Sequence, residues 1–289
     1  MSEVIIGVDE SEGAADALRW AVREAELHGW TVTAVMAWGF LDQHHAIAGE
    51  TFDPDYGEDD ARHALDKIVV AALGADAAGA VERRVACDLP ARALLDTSAG
   101  SELLVVGARG LGGFRGLLLG SVSQHCLHHA TTAIAIVRAG PDRAAERTER
   151  IVVAVDGSET AQRALRWALD EGRLRRAAVA VVHASHPPYL GGYPYSAGSI
   201  DPAIFEHASR RVLDSAIAAE DTSGLPVPVE QISRSGGAAA VILEAAADAD
   251  LVVMGSRGLG GFKGVLLGSV TTQVSHHAPC PVVVVPPRS

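Results

Sequence analysis

The chain has 289 residues, of which 48% are hydrophobic and only 4% aromatic, and it carries a formal net charge of −12. This length fits one large domain or two ordinary ones, and the acidic charge disfavours nucleic acid as a partner because it repels a phosphate backbone. No run reaches the roughly 20 apolar residues of a membrane span, and no targeting pattern opens the chain, so we expect a cytoplasmic protein without a membrane partner.

The first half alternates apolar runs typical of buried strands with segments of helical periodicity. The predicted strands cover residues 4–8, 32–37, 81–86, 103–106 and 133–137. The predicted helices cover 12–28, with Ser11 as N-cap and Gly29 as its end, and then 61–78, 91–99 and 121–129, with a polar loop over 40–57. Strands that alternate with helices indicate an α/β fold with a parallel sheet covered on both faces.

The second half repeats the first. Ala-Leu-Arg-Trp-Ala at 17–21 recurs at 164–168, and the strand ending Val-Asp at 8–9 recurs at 155–156. An internal repeat of this length indicates a duplicated domain, since solenoid units are far shorter. The charged and polar stretch 140–149 is typical of a linker, so we predict domains over 1–139 and 150–289.

A spaced glycine pattern follows the fourth strand of each half. Each copy has two glycines three positions apart, then nine residues, then Gly-Ser: Gly107, Gly110 and Gly120-Ser121, and Gly255, Gly258 and Gly268-Ser269. Such a loop lets backbone N–H groups approach an anion, and the helix that follows adds unpaired donors and the positive end of its dipole. The two copies therefore predict two nucleotide sites.

These residues resemble the universal stress protein family in its tandem two-domain form, whose ATP-binding members carry the same glycine spacing. The strand endings at 8–11 and 155–158 and the tail 277–285 are also similar to the family's, so the likeness covers nearly the whole chain. The resemblance implies two doubly wound parallel sheets of five strands each, in the order 3-2-1-4-5, of the adenine-nucleotide alpha-hydrolase-like type. It also implies that last strands pair, either within the chain as a pseudo-dimer or between chains as a homodimer.

The resemblance further implies ATP as the ligand of each half, with Mg²⁺ as an optional companion. In the first half the nucleotide-binding residues would be Gly7, Asp9, Ala37, Val106, Gly107, Arg109, Gly110, Gly120, Ser121, Val122 and Ser123. In the second half they would be Ala154, Asp156, Ala184, Met254, Gly255, Arg257, Gly258, Gly268, Ser269, Val270 and Thr271. The aspartates would lie near the ribose and the adenine edge, and the backbone of Ala37 and Ala184 would contact the adenine.

Several of these residues also admit a plainer interpretation. Asp9 and Asp156 are typical of turns between a strand and a helix, and a carboxylate beside a triphosphate needs a hydroxyl partner or Mg²⁺. The cations near the loops would either neutralise phosphate or stand in solvent. These cations are Arg109, Arg115, Arg257 and Lys263.

The sequence favours a nucleotide-binding regulator whose occupancy alters conformation or assembly, with at most slow ATP hydrolysis. An ATPase or phosphotransferase remains the alternative, although no G-K-[ST] sequence and no catalytic group is visible at the loops. A nicotinamide or flavin enzyme is weakened because no G-x-G-x-x-G follows the first strand. No metal site is expected: the three cysteines lack C-x-x-C spacing, and the adjacent histidines at 128–129 and 276–277 point about 100° apart on a helix.

Overall fold

The computed structural model describes residues 2–39, 56–110, 118–138, 149–185, 202–260 and 266–287. The chain divides into two compact units, one over Met1–Ala145 and the other over Glu146–Pro287. Of the predicted linker, only Glu149 belongs to the described residues, and of the predicted loop 40–57 only Tyr56 and Gly57 do.

The first unit alternates strands with helices. Its strands are β1 (Glu3–Gly7), β2 (Thr31–Trp38), β3 (Val81–Cys87), β4 (Leu103–Gly107) and β5 (Ala133–Val137). Its helices are α1 (Glu12–His28), α2 (Glu58–Leu73), α3 (Ala75–Ala78), α4 (Pro90–Ser98) and α5 (Ser121–His129). The bounds of α1, α5 and β5 agree with the predicted ones, and the other strands differ by one or two residues at their ends.

The second unit follows the same order with one short helix fewer among its described residues. Its strands are β6 (Arg150–Ala154), β7 (Ala178–Ser185), β8 (Glu230–Ser235), β9 (Leu251–Gly255) and β10 (Val282–Val285). Its helices are α6 (Glu159–Arg175), α7 (Pro202–Ala218), α8 (Ala238–Ala245) and α9 (Ser269–His277). Within the described residues, no helix is long and apolar enough to cross a bilayer.

Both units have the expected parallel topology. The strand order is β3-β2-β1-β4-β5 in the first unit and β8-β7-β6-β9-β10 in the second. The first strand of each unit pairs in parallel with the second on one side and with the fourth on the other. The doubly wound 3-2-1-4-5 prediction is confirmed, and the strand order reverses between β1 and β4 and between β6 and β9.

The cores consist of aliphatic strands covered by small-residue helix faces. Val4, Ile5 and Ile6 of β1 are fully buried, because helices cover both faces of a parallel sheet. Helix α1 begins where the Ser11 hydroxyl oxygen accepts from the Ala14 amide at 3.1 Å, and it ends at Gly29 with φ 69°.

The prediction of one helix over 61–78 is wrong, because the structure has two helices there and the first begins earlier. The helix begins three residues earlier, where Asp60 accepts from the Gly57 amide at 2.9 Å and acidic residues fill the first turn. It ends before Gly74, whose φ of 81° and ψ of 162° lie outside the helical region, and the short α3 follows. Helical periodicity continues across this break, so the pattern alone did not reveal it.

Candidate functional site

In each unit, the point where the strand order reverses brings the predicted aspartate and glycine loop to one edge of the sheet. β1 runs parallel to β4, with Ile6 opposite Val105, and β6 runs parallel to β9 in the same way. Asp9 lies two residues beyond β1, and Gly107 is the last residue of β4. The carboxyl ends of neighbouring parallel strands are where ligands bind in sheets of this kind.

The second glycine of each pattern lies directly against the aspartate carboxylate. A Cβ atom at Gly110 would lie 2.2 Å from Oδ2 of Asp9, and one at Gly258 would lie 2.2 Å from Oδ2 of Asp156. No L side chain fits at that distance unless the carboxylate moves. A contact inside the protein therefore favours glycine at this position.

The aspartate carboxylate of the second unit also fixes the backbone on either side of it. Asp156 Oδ2 accepts from the Leu259 amide at 2.8 Å, and its Oδ1 accepts from the Ser158 amide at 3.0 Å. In the first unit Asp9 Oδ1 accepts from the Ser11 amide at 3.1 Å. These bonds match the turn-forming interpretation of the aspartates, and the role of these residues toward a nucleotide stays a prediction.

The first glycine of each pattern allows the strand end to pack on the start of a helix. A Cβ atom at Gly107 would lie 3.0 Å from the backbone carbon and oxygen of Gly13, at the beginning of α1. A Cβ atom at Gly255 would lie 2.8 Å from the backbone carbon of Thr160, at the beginning of α6. These glycines are also explained by internal packing.

The third glycine is different, because nothing in the part of the chain that the structure describes requires it. Gly120 has φ −75° and Gly268 has φ −74°, values that any residue adopts. Among the described residues, a Cβ atom at Gly120 would meet no atom closer than 3.6 Å, and one at Gly268 no atom closer than 3.5 Å, both ordinary contacts. A side chain would instead occupy the space beside the Gly110 amide nitrogen, which lies 3.6 Å from that Cβ position.

The helices that begin at the third glycine have no side-chain cap. Gly120 is the N-cap of α5 and Gly268 that of α9, and in neither helix does an N-cap side chain accept a hydrogen bond from a first-turn N–H. Helices α1 and α6, which begin at the same edge, are capped by the serine hydroxyls of Ser11 and Ser158. The uncapped first turns leave backbone N–H donors for an anion, together with the positive end of the helix dipole.

The hydroxyl groups predicted at 123 and 271 point to the backbone. Ser123 Oγ donates to the Gly107 carbonyl at 2.6 Å, and Thr271 Oγ1 donates to the Gly255 carbonyl at 2.9 Å. Both side chains are buried, so their hydroxyl protons tie each helix start to the preceding strand end. A bond from these hydroxyl protons to a bound nucleotide would require them to leave the carbonyls.

The remaining predicted residues fall into three groups by position. Those that end or nearly end a strand at this edge are Gly7, Ala37, Ala154 and Ala184. Those whose side chains are buried within the sheet are Val106 and Met254. Those exposed or half-buried at the loop and helix start are Arg109, Arg257, Ser121, Ser269, Val122 and Val270, whereas Arg115 and Lys263 lie outside the described residues.

Two contacts at this edge were missed by the sequence reasoning. Thr160 Oγ1 donates to the carbonyl of Arg257 inside the glycine loop, whereas the matching residue of the first unit is Gly13, which has no hydroxyl group. His183 Nδ1 lies 2.8 Å from the carbonyl oxygen of Val155, next to Asp156. A residue-by-residue alignment of the two halves would have shown that Thr160 and His183 differ from their counterparts in the first half.

Two acidic residues lie near Tyr56, which is the one tyrosine among the described residues. Burial raises the pKa of Tyr56 above its ordinary value, and the charges of Glu10 and Asp60 raise it further. Because the ordinary pKa of tyrosine is already about 10, Tyr56 is a neutral phenol at physiological pH.

Comparison with known proteins gives a consistent result over both halves. The model of the universal stress protein family matches residues 1–138 and again 147–286. A universal stress protein of Mycolicibacterium smegmatis is 32% identical over 99% of this chain and 97% of its own. One from Mycobacterium tuberculosis is 30% identical over 97% and 95%. The crystal structure of a universal stress protein from Archaeoglobus fulgidus has the same fold, with a TM-score of 0.70 at 23% identity over 99% of this chain and 98% of that one.

Proposed function

The chain belongs to the universal stress protein family, and from this premise we propose that each unit binds ATP at its glycine loop and that the protein acts as a nucleotide-dependent stress regulator. We propose ATP as the ligand rather than another anion because the glycine spacing resembles that of the family's ATP-binding members. Both units carry the full spacing, so we propose two sites per chain.

The third glycine is the observation that supports this proposal most strongly. Packing accounts for Gly107 and Gly110, but neither the backbone conformation nor crowding by any described residue explains Gly120, and the same holds for Gly268. A residue without a side chain at an uncapped helix start is what a phosphate group would need, since the backbone amides must come within hydrogen-bond distance of its oxygens. The residues present therefore fit the triphosphate of ATP.

The adenosine end of the ligand would lie across the neighbouring strand ends. The backbone near Ala37 and Ala184 lies at the carboxyl ends of β2 and β7, beside β1 and β6. We propose that this backbone forms hydrogen bonds with the edge of the adenine ring and that a ribose hydroxyl donates to the aspartate. The long loops that follow β2 and β7 differ in sequence between the halves, so the affinities of the two sites are expected to differ.

The chemistry available at the loop favours binding over turnover. A general base needs a free carboxylate or imidazole within reach of the attacking water. In the second unit both oxygens of Asp156 already accept backbone hydrogen bonds, so the carboxylate is held by the protein backbone rather than oriented toward a water molecule. We therefore propose a regulator with at most slow hydrolysis, whose output is a change in conformation or assembly to the extent that ATP prefers one state.

Calorimetric titration with ATP and with GTP tests the proposal. Wild-type protein is expected to bind two ATP molecules and to respond more weakly to GTP. Gly120→Val and Gly268→Val should each remove one site, and the double variant should remove both. Gly237→Val is the matched control, because Gly237 is also an uncapped helix N-cap in an extended conformation and its Cβ position is open. Unchanged ATP binding by the double variant, or equal responses to ATP and GTP, would contradict the proposal.

A further inference from the structure

Two histidines on α5 face each other across one turn of the helix. The rings of His125 and His129 have centroids 4.4 Å apart and planes inclined by 29°. Both residues are exposed, and α5 continues without interruption through both of them. Residues four apart on a helix share one face, and this spacing lets two imidazole groups reach the same point in space.

This pair differs from the adjacent histidines of the same helix. His128 and His129 have ring centroids 6.5 Å apart and planes tilted by 43°, so they diverge as neighbours on a helix must. The expectation that the chain lacks a metal site was based on such adjacent pairs and on cysteine spacing. It does not apply to a pair with i, i+4 spacing.

We propose that His125 and His129 form a binding site for a divalent transition-metal ion. A neutral imidazole nitrogen is a good ligand for Zn²⁺, Ni²⁺ and Cu²⁺ and a poor one for Mg²⁺ and Ca²⁺. In the H-E-x-x-H zinc motif two histidines at i and i+4 on one helix face hold zinc together with a third protein ligand, and the stacked rings of His125 and His129 would turn so that their in-plane nitrogens reach one ion. Two protein ligands leave the other coordination positions to water, and affinity should follow the order Cu²⁺ above Ni²⁺ and Zn²⁺.

The second unit contains a natural comparison for this site. Helix α9 has the same length as α5, and its position matching His125 is Gln273, whereas His277 matches His129. Gln273 and His277 are exposed, as are the two histidines of α5. An amide is a weak ligand for these metals, so the proposal predicts one site per chain, in the first unit alone.

Titration of tag-free protein with Cu²⁺ and with Ni²⁺ in a weakly coordinating buffer at pH 7.5 tests this inference. The expected result is one site per chain whose affinity falls at least tenfold in His125→Gln and in His129→Gln. His128→Gln is the control that should bind normally, and circular dichroism checks that α5 is retained. For Cu²⁺, the spin-resonance signal should show two coordinating nitrogens in the wild type and fewer in His125→Gln.

A gain-of-function variant makes the test stronger. Gln273→His recreates the i, i+4 pair on α9 and is expected to add a second site of similar affinity. Binding that is unchanged in both His125→Gln and His129→Gln, or no gain of a site in Gln273→His, would overturn the proposal. Neither result depends on nucleotide binding, so the metal site and the ATP sites are tested separately.

Discussion

Replacement of Gly258 by alanine tests whether the aspartate carboxylate and the glycine loop hold each other in place. The new Cβ atom would lie 2.2 Å from Oδ2 of Asp156, about 1 Å inside an ordinary contact. Rotation of the carboxylate relieves the overlap but separates Oδ2 from the Leu259 amide, to which it is bonded at 2.8 Å.

The size of the effect follows from the bond that is lost. A hydrogen bond to a charged group contributes about 1.5–3 kcal/mol, and because the bond from Leu259 is exposed to solvent we expect its loss to lower the free energy of unfolding by about 1.5 kcal/mol, the low end of that range. Alanine also has fewer conformations than glycine in the unfolded chain, and this raises the free energy of unfolding by about 0.4–1 kcal/mol. Gly260→Ala has this second effect alone, because its Cβ position is open.

Urea unfolding followed by circular dichroism measures both variants against wild type. We expect a loss of stability in Gly258→Ala and a gain of about 0.4–1 kcal/mol in Gly260→Ala. In an Asp156→Ala background the overlap is absent, so the cost of Gly258→Ala should nearly disappear. Equal stabilities of the Gly258→Ala and Gly260→Ala variants, or an undiminished cost in that background, would refute the reasoning.

Three further predictions concern single side chains. Thr160→Val removes the hydroxyl donor to the loop carbonyl and should cost about 1 kcal/mol in urea unfolding, whereas Thr160→Ser should not; equal stability of both would count against this bond. Burial alone would raise the pKa of Glu220, but its hydrogen bonds, led by that from Arg166, lower it. Glu220→Gln should therefore cost about 1 kcal/mol at pH 7, and the difference should vanish as pH falls below about 4; a pH-independent difference would be contrary evidence. Burial raises the pKa of Cys126 to about 12, so exposed Cys87 should be the fast-reacting thiol with Ellman's reagent and Cys87→Ser should remove that phase.

The sequence predicted those elements whose ends carry a local signal. Ser11 and Gly29 mark the ends of α1 because a hydroxyl cap and a left-handed glycine are local features. The break at Gly74 was missed because glycine within a helical pattern is compatible with either continuation or termination. The parallel sheets followed from strand and helix alternation, and their strand order was implied by the family resemblance.

At the candidate site, the sequence identified residues but not the reasons for them. The pattern singled out Gly110 and Gly120 alike, yet the first lies against the Asp9 carboxylate and the second is crowded by none of the described residues. The hydrogen bond from Thr160 to the Arg257 carbonyl joins segments far apart in the chain, so no local sequence pattern predicts it. Only the three-dimensional arrangement separates glycines that serve packing from those available to a ligand.

The most direct test of the account is a crystal structure of the protein soaked with ATP. If ATP binds at both glycine loops, we expect its phosphate oxygens about 2.7–3.2 Å from the backbone nitrogens that follow Gly120 and Gly268, which is the distance of an N–H···O hydrogen bond. We also expect the adenine beside the ends of β2 and β7. Crystals that diffract well but show both loops without nucleotide at saturating ATP, or ATP bound elsewhere, would contradict the central claim.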